Sequence, residues 1–144
     1  MENNYKRIVV AVDGSDAAKK AFNRSMDVAK RNDAELIIAH VVDTRSFATI
    51  EAYDAYIYDK AEEEGKKLLA DYEQTAKAAN IVKTKTVLKY GSPKTVIPKE
   101  IIPEEEADLI MIAATGLNAV ERFVIGSVSE RTARYAECDV LIVK

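Results

Sequence analysis

Two kinds of apolar pattern alternate along this chain. Ile8 to Val12, Leu36 to Val42, Leu109 to Ala114 and Val140 to Val143 are continuous apolar runs rich in Val and Ile. Such runs suit strands buried on both faces, as in a parallel sheet with helices on each side. Lys83 to Leu88 is more mixed, with Thr84 and Thr86 alternating against charged neighbours, and reads as an edge strand. Between the strands the period changes. Ala18, Phe22, Met26 and Ala29 recur at helical spacing, with Lys19, Lys20, Asn23 and Lys30 on the opposite side. From about Tyr53 to Ala79 a longer stripe runs through Ala61, Gly65, Leu68, Leu69, Tyr72, Ala76 and Ala79, with Glu62/Lys66 and Glu63/Lys67 at ion-pair spacing.

Ser92-Pro93 reads as an N-cap followed by Pro at the first helical position. Pro98 and Pro103 then predict a short, kinked or broken helix. A last helix over Ser127 to Ala136 is opened by Ser127 and Glu130 at capping-box spacing. The order β-α-β-α-β-α-β-α-β implies parallel pairing and right-handed crossovers. Its 144 residues suit a single domain, 1–144, and no internal repeat, low-complexity tract or linker is visible. The segment from about Thr44 to Asp54 is the least patterned.

Composition narrows the chemistry. Lys plus Arg number 21 against 24 Asp plus Glu, a net charge of −3, which argues against a basic nucleic-acid-binding surface. One Cys excludes an intrachain disulfide, and one Cys with one His leaves a Cys/His zinc site without ligands. No apolar run approaches the roughly 18 residues of a membrane span, and the polar N-terminus MENNYKR carries no secretory signal. The expectation is a cytoplasmic protein with no membrane or nucleic-acid partner.

In open α/β sheets a ligand lies at the carboxyl ends of the strands. The segments there are Val12-Asp13-Gly14-Ser15-Asp16, Val41-Val42-Asp43, Tyr90-Gly91-Ser92-Pro93, and Ala113-Ala114-Thr115-Gly116 with the loop to Gly126-Ser127-Val128-Ser129. Gly126-Ser127 opening a helix offers backbone N–H groups to a phosphate, with hydroxyls from Ser127 and Ser129 and a cation from Arg122. The same residues equally describe an ordinary capped helix. Asp13 can accept hydrogen bonds from a nucleoside, or it can be a turn residue and a helix N-terminal acid. His40, inside an apolar run, reads as a packed core histidine rather than a catalytic one. Cys138 reads as a small buried side chain. The Tyr53, Tyr56 and Tyr58 cluster reads as packing or partner surface, since no basic residues interleave with it.

These segments together resemble the universal stress protein family, in its single-domain UspA type, over essentially the full length. The resemblance rests on Ile8-Val9-Val10-Ala11-Val12-Asp13-Gly14-Ser15, His40-Val41-Val42-Asp43, Tyr90-Gly91-Ser92-Pro93 and the final Cys138-Asp139-Val140-Leu141-Ile142-Val143. It is strongest at Gly116, which is followed by nine residues, Leu117 to Ile125, and then Gly126-Ser127. The ATP-binding branch of the family carries G-x-x-G, nine residues, then G-S or G-T. Ala113 stands where the first of those glycines is expected.

The resemblance implies a Rossmann-like five-stranded parallel sheet of order 3-2-1-4-5 with helices on both faces. It implies an adenine pocket at Ala11, Val12, Asp13 and Val41, with Ile112 and Ala113 near the ribose. Gly116, Gly126, Ser127, Val128 and Ser129 would lie near the phosphates. ATP is the implied cofactor, with Mg²⁺ held by the phosphate oxygens rather than by a protein cage. A methyl at Ala113 would crowd the ribose, so nucleotide binding is expected to be retained but weakened. The resemblance also implies a homodimer through the C-terminal strand, 139–143, and an unidentified protein partner.

The expected function is therefore an ATP-binding regulatory dimer of the universal stress response with little or no hydrolysis, since no base or nucleophile is evident against a phosphate. The alternative is a dimeric signalling protein of the same fold that binds no nucleotide. An ATP pyrophosphatase or adenylating enzyme would carry Ser-Gly-Gly-x-Asp-Ser after strand 1, where this chain has Asp13-Gly14-Ser15-Asp16. A phosphoacceptor receiver would need an Asp ending strand 3, where this chain has Tyr90-Gly91.

Overall fold

The computed structural model describes residues 4–44, 55–116 and 125–144. Five parallel strands form one sheet: β1 (Arg7–Ala11), β2 (Glu35–Asp43), β3 (Thr84–Gly91), β4 (Leu109–Ala113) and β5 (Asp139–Val143). Their order is β3-β2-β1-β4-β5. The mixed strand begins and ends later than its alternation suggested. Its pairing with β2 continues through Val42↔Tyr90 and Asp43↔Gly91, so ladder bonds extend it past the apolar pattern.

The handedness of the crossovers dictates the layers. The chain steps from β1 to β2 to β3 in one direction, so α1 (Asp16–Asn32) and α2 (Ala55–Ala78) cover one face. It then steps back through β4 to β5, which puts the remaining helices on the other face. Alternate side chains sort accordingly. Ile8, Val10, Leu36, Ile38, Leu109 and Met111 pack under Phe22 and Leu69, whereas Val9, Ile37, Val41, Ile110 and Ile112 pack under Val96 and Ile101.

The segment with two prolines, expected to be short, kinked or broken, stays helical but is divided into short pieces by a widened turn. It runs as α3 (Pro93–Val96), a wide π turn over Ile97–Ile101, and α4 (Ile102–Glu104). The Ile102 N–H reaches back five residues to the Ile97 carbonyl. The wide turn includes Pro98 and ends two residues before Pro103; in a regular helix each proline ring would clash with the carbonyl four residues earlier. On α2 the expected Glu63/Lys67 pair is not the one formed, because Lys67 pairs forward with Asp71 at 4.0 Å. Glu62 instead accepts the Tyr90 hydroxyl, while Tyr58 stacks on the Tyr90 ring at 5.8 Å and Tyr56 stays exposed. Tyr53 lies outside the described residues.

The amino ends of the strands are held by charge. Arg7 lies between Glu35 and the buried Glu105, and Lys85 pairs with Glu105 at 2.7 Å. Asp108 accepts the N–H groups of Lys6 at 2.8 Å and Arg7 at 3.1 Å, and so fixes the start of β1 beside β4. Replacing Asp108 with Ala removes both acceptors and should lower stability by about 1–3 kcal/mol in urea denaturation. Cys138 is half-buried, and its thiol is pushed up to about 11, first by burial and then by the carboxylates of Asp139 and Asp108. Since the thiolate is the reactive form, alkylation should be slow at pH 8 and accelerate towards pH 11. Timed iodoacetamide labelling measures this.

Candidate functional site

The two central strands separate at their carboxyl ends. β1 and β4 are paired at Ile8↔Leu109, Val9↔Ile110 and Val10↔Met111. Beyond that, β1 stays with β2 through Ala11↔Ala39 and the Val12 N–H bond to the Ala39 carbonyl at 2.9 Å. β4 stays with β5 through Ile112↔Ile142, Ala113↔Val143 and the Ala114 N–H bond to the Val143 carbonyl at 2.9 Å. The crevice between Val12-Asp13 and Ile112-Gly116 is the reversal point of the sheet, where open α/β domains bind ligands.

On the β1 side, Asp13 is oriented by its own turn. Its Oδ1 accepts the Ser15 N–H at 2.9 Å and the Ser15 hydroxyl at 2.6 Å. The Ser15 oxygen in turn accepts the Ala18 N–H at 3.0 Å and so caps α1. Gly14 makes this turn at φ +86°, a conformation that side chains disfavour. Asp13 is therefore both the turn residue its sequence context allows and a carboxylate with a second oxygen left over. That oxygen, Oδ2, faces Gly116: a Cβ built on Gly116 would lie 3.2 Å from it.

On the β4 side the loop returns to its own start. The Gly126 N–H donates to the Ala114 carbonyl at 2.7 Å, and a Cβ on Gly126 would stand 3.3 Å from that same oxygen. Ser129, 2% exposed, lies within hydrogen-bond reach of the Ala114 carbonyl at 2.9 Å and the Gly126 carbonyl at 3.1 Å. Its hydroxyl closes the base of the loop and does not face solvent. Helix α5 (Ser127–Tyr135) has Gly126, not Ser127, as its N-cap, with no side-chain capping bond. The expected capping box is absent because Glu130 turns down the helix towards Arg134 at 3.4 Å. The N–H groups of Ser127, Val128 and Ser129 occupy the first helical positions, which have no acceptor within the helix. Ser127 is exposed, and Val128 beside it is half-buried.

The remaining expected site residues distribute by face. Ala11, Val41 and Ile112 lie on the face of α3 and α5, packed in one cluster. Ala113 faces the other way, 7% exposed among Val12, Met111 and Val143, so its methyl is absorbed by the core. Arg122 lies outside the described residues. His40, read as a packed histidine, is half-buried, with Nδ1 2.7 Å from the Val12 carbonyl. Sequence reasoning had no signal for that contact, which depends on the register of β2 against the turn after β1. Among the described residues, no three His, Cys, Asp or Glu side chains converge to hold a metal ion. None of the described helices is long and apolar enough to cross a membrane.

This architecture defines a small doubly wound α/β fold with a crevice at its sheet reversal. Residues 4–144 match the universal stress protein family, and the chain belongs to it. A Staphylococcus haemolyticus relative named for that family is 49% identical over 140 residues, covering 97% of this chain and 85% of its own. The universal stress protein UspA from Lactobacillus plantarum superposes with a TM-score of 0.89 at 31% identity, over 99% of this chain and all of that one. A universal stress protein solved in complex with cAMP superposes with a TM-score of 0.71 at 30% identity, over 98% of each chain.

Ser129→Ala leaves the Ala114 and Gly126 carbonyls without their hydroxyl donor. It should lower stability by about 1 kcal/mol, measured by thermal unfolding.

Proposed function

We propose that this protein binds ATP and acts as a regulatory dimer of the stress response with little or no hydrolysis. The observation that carries this reading is the pairing across the crevice of Asp13 Oδ2 with Gly116, where a Cβ would intrude at 3.2 Å. It leaves a carboxylate acceptor on one wall and side-chain-free backbone on the other. An adenine nucleotide suits both, because its nucleoside offers donors and its phosphates seek backbone N–H groups at a helix start. Asp13, with the backbone of Ala11, Val12 and Val41, would hold the nucleoside. Gly116, Gly126, Ser127 and Val128 would hold the phosphates. Ser129 would act by keeping the loop closed, and Mg²⁺ would ride on the phosphate oxygens. The related cAMP complex makes an adenine nucleotide a reasonable ligand class.

The core position of Ala113 favours an intact pocket over the alternative of a protein that binds no nucleotide, because Ala113 is 7% exposed and belongs to the core cluster that holds Val12 and Met111. Dimerisation through β5 is supported by the half-buried Val140, Leu141 and Ile142 along an edge strand. Asp13 is read at the nucleoside end, with Oδ1 tied to Ser15, so the expected output is occupancy rather than turnover.

Equilibrium titration with labelled ATP and Mg²⁺ tests the reading. Saturable binding is expected, and no binding at millimolar ATP would overturn it. Gly126→Val should abolish binding while leaving the dimer intact in sedimentation. Ala113→Gly should change affinity by less than about threefold; a larger gain would mean that the methyl obstructs the pocket.

A further inference from the structure

We propose that His40 is the positioning residue of the nucleoside wall, holding the Val12-Asp13 peptide in place from β2. Its effect on a ligand rests on the nucleotide reading, but the contacts that define the role lie within the chain.

Val12 lies just past the end of β1, where β4 has already turned away. Its peptide groups are held from β2: its N–H by the Ala39 carbonyl at 2.9 Å, and its carbonyl by His40 Nδ1 at 2.7 Å. A carbonyl can only accept, so Nδ1 carries the proton and donates it. Val12 is 3% exposed, and a buried carbonyl that loses its donor is costly. The next residue is Asp13, whose Oδ1 is pinned by Ser15 and whose Oδ2 faces Gly116. The aim of that carboxylate therefore depends on where the Val12 carbonyl is held.

The ring that holds it is itself seated. Gly65 of α2 lies against it so closely that a Cβ there would stand 2.9 Å from His40 Cδ2, 3.4 Å from Nε2 and 3.2 Å from Leu88 Cδ1. An interior helical glycine costs roughly 1 kcal/mol relative to alanine. Here the missing side chain lets α2 press the imidazole towards Val12. Gly65, His40 and Val12 thus form one line of contact from α2 through β2 to the crevice.

Two substitutions separate this role from simple packing. Asparagine places an N–H donor near the position of Nδ1, whereas alanine provides none. His40→Ala should weaken ATP binding about tenfold, the effect of one lost buried hydrogen bond. His40→Asn should restore affinity to within about threefold. Gly65→Ala should weaken binding in the parent by displacing the ring, and should add no further loss in the His40→Ala background. Amide hydrogen exchange of the Val12–Asp16 segment, without nucleotide, should quicken in His40→Ala and Gly65→Ala but not in His40→Asn. If the parent binds no ATP, the nucleotide reading fails while hydrogen exchange still decides the positioning role. If the parent binds ATP, and His40→Ala matches it in affinity and exchange, the positioning role is overturned. It is equally overturned if asparagine rescues no better than alanine. Should His40→Ala fail to fold, the contrast between Gly65→Ala and His40→Asn carries the test.

Discussion

The separation of β1 from β4 after Val10 and Met111 is the constraint on which the rest of this molecule depends. Right-handed crossovers force it. Two successive steps in one direction and two in the other leave adjacent central strands whose connections leave towards opposite faces. No connection covers the gap between them, so the backbone there must find its hydrogen bonds elsewhere. The Val12 and Ala114 N–H groups find theirs sideways, in β2 and β5 respectively. A crevice walled by backbone already satisfied from behind can present its remaining polar groups to a ligand without losing its shape.

The side chains around the crevice follow the same logic. Ser15 serves Asp13 and α1 at once, donating its hydroxyl to one and accepting the Ala18 N–H from the other. Ser129 and Gly126 gather on the Ala114 carbonyl, so the ends of a long loop meet at a single oxygen. Hydroxyls that spacing alone assigns to a ligand are thus divided. Ser129 is buried in the scaffold, and Ser127, first in its helix, is exposed to solvent. The opposite end of the sheet carries the charged ties of Arg7, Glu105, Lys85 and Asp108.

Glycine is used in two ways. Gly14 and Gly91 take φ of +86° and +132° at the ends of β1 and β3, where the chain must turn sharply. Gly65, Gly116 and Gly126 instead leave space for a neighbour: His40, Asp13 Oδ2 and the Ala114 carbonyl. Spacing alone cannot distinguish the two uses, because the first is a property of the residue's own backbone and the second of whatever packs against it.

By itself, the sequence determined the order of elements, the class of sheet and the segments that meet at its carboxyl ends. The physical reason is that continuous Val and Ile runs, helical periods and turn residues are local signals, and crossover handedness converts their order into topology. Tertiary structure decided the rest. It carried the proline-rich segment through as short helical pieces joined by one widened turn, where local preference predicted a short, kinked or broken helix. It moved the cap of α5 from Ser127 to Gly126 and turned Glu130 towards Arg134. It placed Ala113 in the core cluster beneath α1, because strand register, not residue type, sets which face a side chain takes. And it brought His40 to the Val12 carbonyl, a contact across 28 positions of chain that no local pattern encodes.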